Sequence, residues 1–216
     1  MSVAVNNLVD RVELLLQDTS NVRWGASELI YWLNDGQREV VLIKPDVSVT
    51  NESVLLVAGT KQTIPTDGIQ LSDLVRNMGT DGTTVGKTIS LIERRVLDTL
   101  LPTWHSDIAS TVVKHFMFDT RDPRHYYVYP KSPGTNYVEI VYTSPPATVA
   151  AGGNISIPDI YSNCLIDYML YRAYAKDADF VGNSERALAH YSAFQRSLGI
   201  RTEAEGSNEP NSLRRG

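Results

Sequence analysis

Between residues 3 and 17 apolar side chains recur at three- and four-residue intervals: Val5, Leu8, Val9, Val12, Leu15 and Leu16. That spacing draws one stripe down a helix. After a polar break a second helix is predicted, with Ser27 placed to cap its first turn and Leu29, Ile30, Leu33, Val40 and Val41 on its buried side. Pro45 stops it, and Gly36 weakens its middle by about 1 kcal/mol relative to Ala.

From Val47 to Thr143 the pattern changes to short β-branched or aromatic runs punctuated by Gly, Pro, Asn and Asp, as antiparallel strands and turns require. The predicted strands are "VSVT", "SVLLVAG", "KQTIP", "TISLIERRV", "TVVKHFMF", "HYYVYP" and "YVEIVYT", with "LDTLLPTW" as a short turn of helix between them. Phe116 and Phe118, then Tyr126 and Val128, then Val138, Ile140 and Tyr142 alternate as one buried face, so the last three strands read as a meander. Only Tyr127 and Tyr129 are left over as outward aromatic residues.

The linker "SPPATVAAGGNIS" closes the β region, and Pro158 suits the first turn of a third helix reaching about Asp179. That helix is apolar on nearly every side. Tyr161, Cys164, Leu165, Tyr168 and Tyr171 form one stripe and Ile166, Met169, Leu170 and Ala173 another, so it needs neighbours on both flanks, in a bundle or at a subunit contact. Ser184 can cap a fourth helix that buries Ala187, Tyr191, Phe194 and Leu198 and ends at Gly199. The remaining residues, 200–216, carry no core-forming pattern and read as a flexible tail. Helices at both ends of a chain meet only if the β segment between them is an insertion. The expected fold is α+β: a discontinuous four-helix bundle from 1–45 and 155–199, an inserted antiparallel β domain at 46–154, and the tail.

A chain of 216 residues with 42% hydrophobic content can fill such a core, and its net charge of −5 argues against a surface broadly dedicated to a polyanion. The single cysteine, Cys164, allows no internal disulfide and no thiolate zinc set, and no apolar run approaches the length of a membrane span. These features fit a soluble protein of a reducing compartment.

Candidate chemistry is sparse. "MGTDGTTVGKT" ends in Gly86-Lys87-Thr88 like a phosphate loop, but Asp81 stands where the leading glycine belongs and a strand, not a helix, follows. His105, His115, His125 and His190 show no metalloprotease spacing, although His115 and His125 can face each other across a hairpin. "DTRDPR" lacks the ladder and distal Glu of a calcium loop, no serine occupies a nucleophile elbow, and Cys164 sits on an apolar helix face. No catalytic, metal or cofactor site is predicted. Arg121, Arg124 and His125 with Tyr127 and Tyr129 can be a base-stacking strip, or the tip of a hairpin whose outward tyrosines anchor a protein contact.

In order, "ELIYWLNDGQREVV", "FMFDTRDPRHYYVYP" with "VEIVYTSPP", "IPDIYSNCLIDYMLYRAYAKDAD" and "ALAHYSAFQ" before a polar tail span nearly the whole chain. Together they resemble the head-to-tail adaptors of tailed bacteriophages, the group that includes the podovirus tail tubular protein A. The resemblance implies a virion neck protein, made in the host cytoplasm. It implies a ring of copies, a dodecamer, between the portal protein and the tail nozzle or tail fibre proteins, with double-stranded DNA passing through without sequence-specific binding. On it rest two assignments: portal contact by Ile200, Arg201, Leu213, Arg214 and Arg215, and tail-side contact by Arg121, Asp122, Arg124, Tyr127 and Tyr129. Tyr161, Leu165, Tyr168, Met169, Tyr191 and Phe194 are left to bundle or subunit packing. Alternatives are a more distal head-completion or tail-terminator protein, a DNA-binding module built on the 115–130 hairpin, and a nucleotide-using enzyme built on Lys87.

Overall fold

In the computed structural model, which describes residues 3–208 and side chains through residue 199, the first apolar stripe is α1 (Val5–Leu16) and the second is α2 (Ala26–Ile43). There follow β1 (Val49–Leu55), β2 (Gly59–Thr63), β3 (Gln70–Asn77), β4 (Ser90–Leu91), α3 (Arg94–Leu100), β5 (His115–Asp119), β6 (Asp122–Ser132), β7 (Tyr137–Thr143), α4 (Ser162–Lys176) and α5 (Asn183–Asn208). The protein is thus mixed α+β with five α-helices and two sheets among the described residues. It divides into two compact units, one built from both ends of the chain, up to Val47 and from Pro146 onward, the other from Ser48–Pro145.

In the first unit α4 packs against α1, α2 and α5, and α1 also meets α2. Both stripes of α4 are buried except at the half-buried Tyr171, as its all-round apolarity requires. Gly36 explains how α2 comes so near: a β-carbon there would meet Tyr168 Cδ1 at 3.0 Å and Leu165 Cδ2 at 3.2 Å. The residue that weakens α2 as a helix therefore lets it approach α4 closely. Two polar side chains of α2 are buried nearby. Asn34 brackets the Val149 backbone, donating to its C=O at 2.9 Å and accepting its N–H at 2.8 Å, while Gln37 Oε1 accepts the Ser156 N–H at 2.7 Å. They fasten the returning linker to the helix.

In the second unit the strand orders are β1-β7-β3 and β2-β6-β5-β4, and their inner faces share one core containing Leu71, Leu74, Phe116, Tyr126, Val128, Ile140 and Tyr142. The expected meander is therefore corrected. β5 and β6 form a hairpin, but β7 crosses to become the centre of the other sheet. The crossing is held at Ser132–Asn136, where Ser132 Oγ donates to Asn136 Oδ1 at 2.6 Å and the Asn136 C=O accepts the Leu56 N–H at 3.0 Å.

Other expectations change too. β3 was not anticipated, and "TISLIERRV" is a two-residue strand followed by α3. Gly25 rather than Ser27 precedes α2, with no side-chain cap, and α5 begins one residue before Ser184. Gly199 does not end the last helix, which continues through 200–208; residues 209–216 of the expected tail lie outside the described residues. Arg201, Glu203, Ala204 and Glu205 are strong helix formers that offset the glycine.

Candidate interaction surfaces

The β5–β6 hairpin carries two aromatic faces. Its inner face, Phe116, Tyr126 and Val128, belongs to the shared core. Its outer face, Met117, Tyr127 and Tyr129, is covered by Leu97 of α3 and by Trp104, which is fully buried and whose Nε1 donates to Asp98 at 3.0 Å. Tyr127 and Tyr129 meet the Trp104 ring edge to face at 6.1 and 6.3 Å, and His105 stacks on Trp104 at 3.6 Å. These tyrosines are half-buried and do not stand out as a stacking platform, which corrects their assignment as outward residues. The missed partner is Trp104, whose only signal in the sequence is a tryptophan in a polar loop.

The hairpin tip satisfies its own charges. Arg121 clasps Asp119 with Nε at 3.1 Å and Nη2 at 2.8 Å, and this hydrogen bonding lowers the Asp119 carboxyl to about 2 and raises the guanidinium. Asp122 accepts His125 Nδ1 at 2.7 Å, and Arg124 reaches the Thr66 C=O at 3.2 Å. Arg121, Asp122 and Arg124 are exposed together at one end of the hairpin. The residues assigned to packing lie inside the first unit: Tyr161, Leu165, Tyr168, Met169 and Phe194 are buried, with Tyr191 at the rim 4.8 Å from the Tyr171 ring. Ile200 and Arg201 belong to α5, and Leu213, Arg214 and Arg215 lie outside the described residues.

The phosphate-loop resemblance dissolves in the geometry. Asp81 Oδ1 accepts the amides of Thr83 at 3.0 Å and Thr84 at 2.9 Å, bonds that hold its carboxyl far below the usual range. The Gly86 N–H is spent on the Asn77 C=O at 2.8 Å and Thr88 bridges to Arg76, so the amides a phosphate needs point elsewhere. The strand register sets His115 opposite Tyr129, not His125, and no three His, Cys, Asp or Glu side chains gather as a metal set among the described residues. Cys164 is buried.

Two features of the second unit remain open to a partner. The loop after Trp104 presents Ile108 at 91% exposure. A groove of about 700 Å³ runs beside α3, floored by Leu91, Ile92, Met117 and Tyr127 and flanked by Arg94 and Arg95. Neither gathers a metal set among the described residues. The groove joins an apolar floor to a rim of mixed charge, Glu93 and Asp119 beside Arg94, Arg95 and Arg121, as a protein contact does.

A family model for the SU10 adaptor protein matches residues 4–215, nearly the whole chain. The chain belongs to the SU10 adaptor protein family. No curated protein matches it. Membership gives this SU10 adaptor a structural role at the bacteriophage head–tail junction, as a component of the virion neck that assembles with other head and tail proteins. The family is structural rather than enzymatic. No helix among the described residues is long and apolar enough to cross a membrane.

Proposed function

We propose that this SU10 adaptor forms a ring of twelve copies between the portal and the tail nozzle, completing the channel through which double-stranded DNA leaves the head, in the manner of the podovirus tail tubular protein A group. The observation that carries the reading is the family match across both units of the chain. In this reading the four helices of the first unit act as one discontinuous bundle. The C-terminal stretch is the portal-binding element, with Ile200 and Arg201 on the last turns of α5 and Leu213, Arg214 and Arg215 beyond. The tail side is met by the hairpin tip, Arg121, Asp122 and Arg124, while Tyr127 and Tyr129 stiffen it from beneath through Trp104. The net charge of −5 suits a conduit through which DNA slides without counterion-release binding.

The test mixes the purified protein with the portal ring of its own phage and measures mass by light scattering behind a sizing column. A gain of one adaptor ring per portal supports the reading. No gain with folded protein moves the chain to a more distal head-completion or tail-terminator position. Deleting residues 201–216 abolishes the gain if the C-terminal stretch holds the portal, and charge reversal at Arg124 leaves it intact while impairing tail attachment.

A further inference from the structure

We propose that β1 is an open sheet edge to which an extended segment of another head or tail protein adds as a further strand, with a basic side chain of that segment set against Glu52 and Asp67. The pairing rests on membership of the neck and is independent of ring number.

β1 is an edge of its sheet and pairs only with β7. At its two ends the Ser48 C=O accepts the Ser144 N–H at 2.9 Å and the Leu56 N–H donates to the Asn136 C=O at 3.0 Å, so the even-numbered residues face β7. Val49, Asn51, Ser53 and Leu55 therefore turn their N–H and C=O groups outward, where none meets a hydrogen-bond partner among the described residues. Asn51, Glu52 and Ser53 are exposed.

The other three edges carry the devices that stop strand addition. β3 shifts register twice, and residues 86–89 cover its far side: the Asn77 N–H donates to the Lys87 C=O at 2.9 Å and the Ile89 N–H to the Val75 C=O at 3.2 Å. β4 has only two residues. β2 has five, with a register shift and the exposed Lys61. β1 has seven residues in unbroken register and contains neither lysine nor proline.

A bare strand edge is read by a polypeptide backbone, whose ladder of hydrogen bonds supplies the affinity. A second copy of β1 is a poor occupant, because antiparallel pairing along the whole strand sets Glu52 directly across from Glu52. The charge at the edge is acidic instead of self-complementary. Tyr142 Oη lies 2.9 Å from Glu52 Oε1 and 3.3 Å from Asp67 Oδ1, and its single proton serves only one of them at a time. Neither carboxylate has an ion pair among the described residues, and Arg124, close to Asp67 in the fold, is spent on the Thr66 C=O at 3.2 Å. A cation on the added strand answers both acids. On the opposite face of β1, Val49 and Leu55 are 44% and 47% exposed, each three residues from Glu52. The segment that fits is thus apolar, two residues, basic, two residues, apolar.

Hydrogen exchange resolved to single amides compares the free protein with necks released from particles of its own phage. The expected result is alternate: the Asn51, Ser53 and Leu55 amides slow about a hundredfold or more in the neck, while those of Thr50, Glu52 and Val54 are protected in both states. Ser53→Pro removes an N–H that nothing in the chain uses, so the fold is retained by circular dichroism and incorporation into necks falls about tenfold or more. Glu52→Lys lowers incorporation as well, by repelling the basic side chain. A ring of full mass on the portal with unslowed β1 amides overturns the edge and leaves the ring standing, as does folded Ser53→Pro entering necks normally. Glu52→Lys entering normally overturns the basic occupant. Disulfide dimers from Asn51→Cys necks under mild oxidation, where buried Cys164 supplies no competing thiol, put a second copy on the edge and overturn the partner assignment.

Discussion

Replacing Asn77 with alanine removes three hydrogen bonds in one step. Its Nδ2 donates to the Lys87 and Val113 carbonyls and its Oδ1 accepts the Val113 N–H, each at 2.8 Å. The Lys87 C=O keeps a donor, the Asn77 backbone N–H at 2.9 Å. The two Val113 groups do not, and Val113 is fully buried. At roughly 1–3 kcal/mol for each buried group left unsatisfied, the loss is about 2–6 kcal/mol. That is a large part of the ~5–15 kcal/mol that holds a typical domain. Urea unfolding followed by circular dichroism, with amide exchange at Val113, reads it directly. The exposed Asn51, bonded to Glu139 at 3.0 Å, serves as control and loses under about 0.5 kcal/mol as Asn51→Ala. A loss below ~1 kcal/mol in Asn77→Ala, with the Val113 amide still protected, refutes the reasoning.

Gly36→Val drives a branched side chain into Tyr168 and Leu165 and lowers stability by about 1–3 kcal/mol or more in a thermal melt; an unchanged midpoint contradicts close α2–α4 packing. Tyr126→Phe leaves stability equal or higher, because the buried phenol, held above the usual tyrosine range by burial, has no protein partner; a loss above ~1 kcal/mol shows otherwise. Asp119 titrates in the folded protein at about 2, below the ordinary aspartate value of roughly 3.9. Its pairing therefore contributes fully above the ordinary value and is lost as pH falls toward 2; carbon-detected NMR shows the midpoint rising in Arg121→Ala, and an unmoved midpoint removes the assigned cause.

The helical ends were legible because burial there follows the helix period: Val5, Leu8, Val9, Val12 and Leu16 are all inside, with Leu15 alone of the predicted stripe turned out. β3 was hidden by its own irregularity. Register shifts after Leu71 and after Leu74 convert a period of two into buried positions at Leu71, Leu74 and Asn77, three apart, which imitates a helix. The alternation of β7 was read correctly, but alternation fixes a face and not a sheet, so the crossing at Ser132–Asn136 stayed invisible. The buried roles of Asn34 and Gln37 left no local signal either, since their backbone partners lie more than 100 positions away. The hairpin tip was visible from its turn residues.

The chain's two-ended first unit has a consequence during synthesis. α1 and α2 leave the ribosome with their apolar faces ready, but the helix that covers them, α4, follows only after the 98 residues of Ser48–Pro145. At elongation rates of about 5–20 residues per second that is an interval of about 5–20 s. The second unit, whose strands pair only among themselves, can fold in that time and leave the tunnel as a finished body. The nascent chain then carries an exposed helix pair on a folded insertion, a stage at which holding chaperones have a defined target and after which synthesis of α4 ends their access.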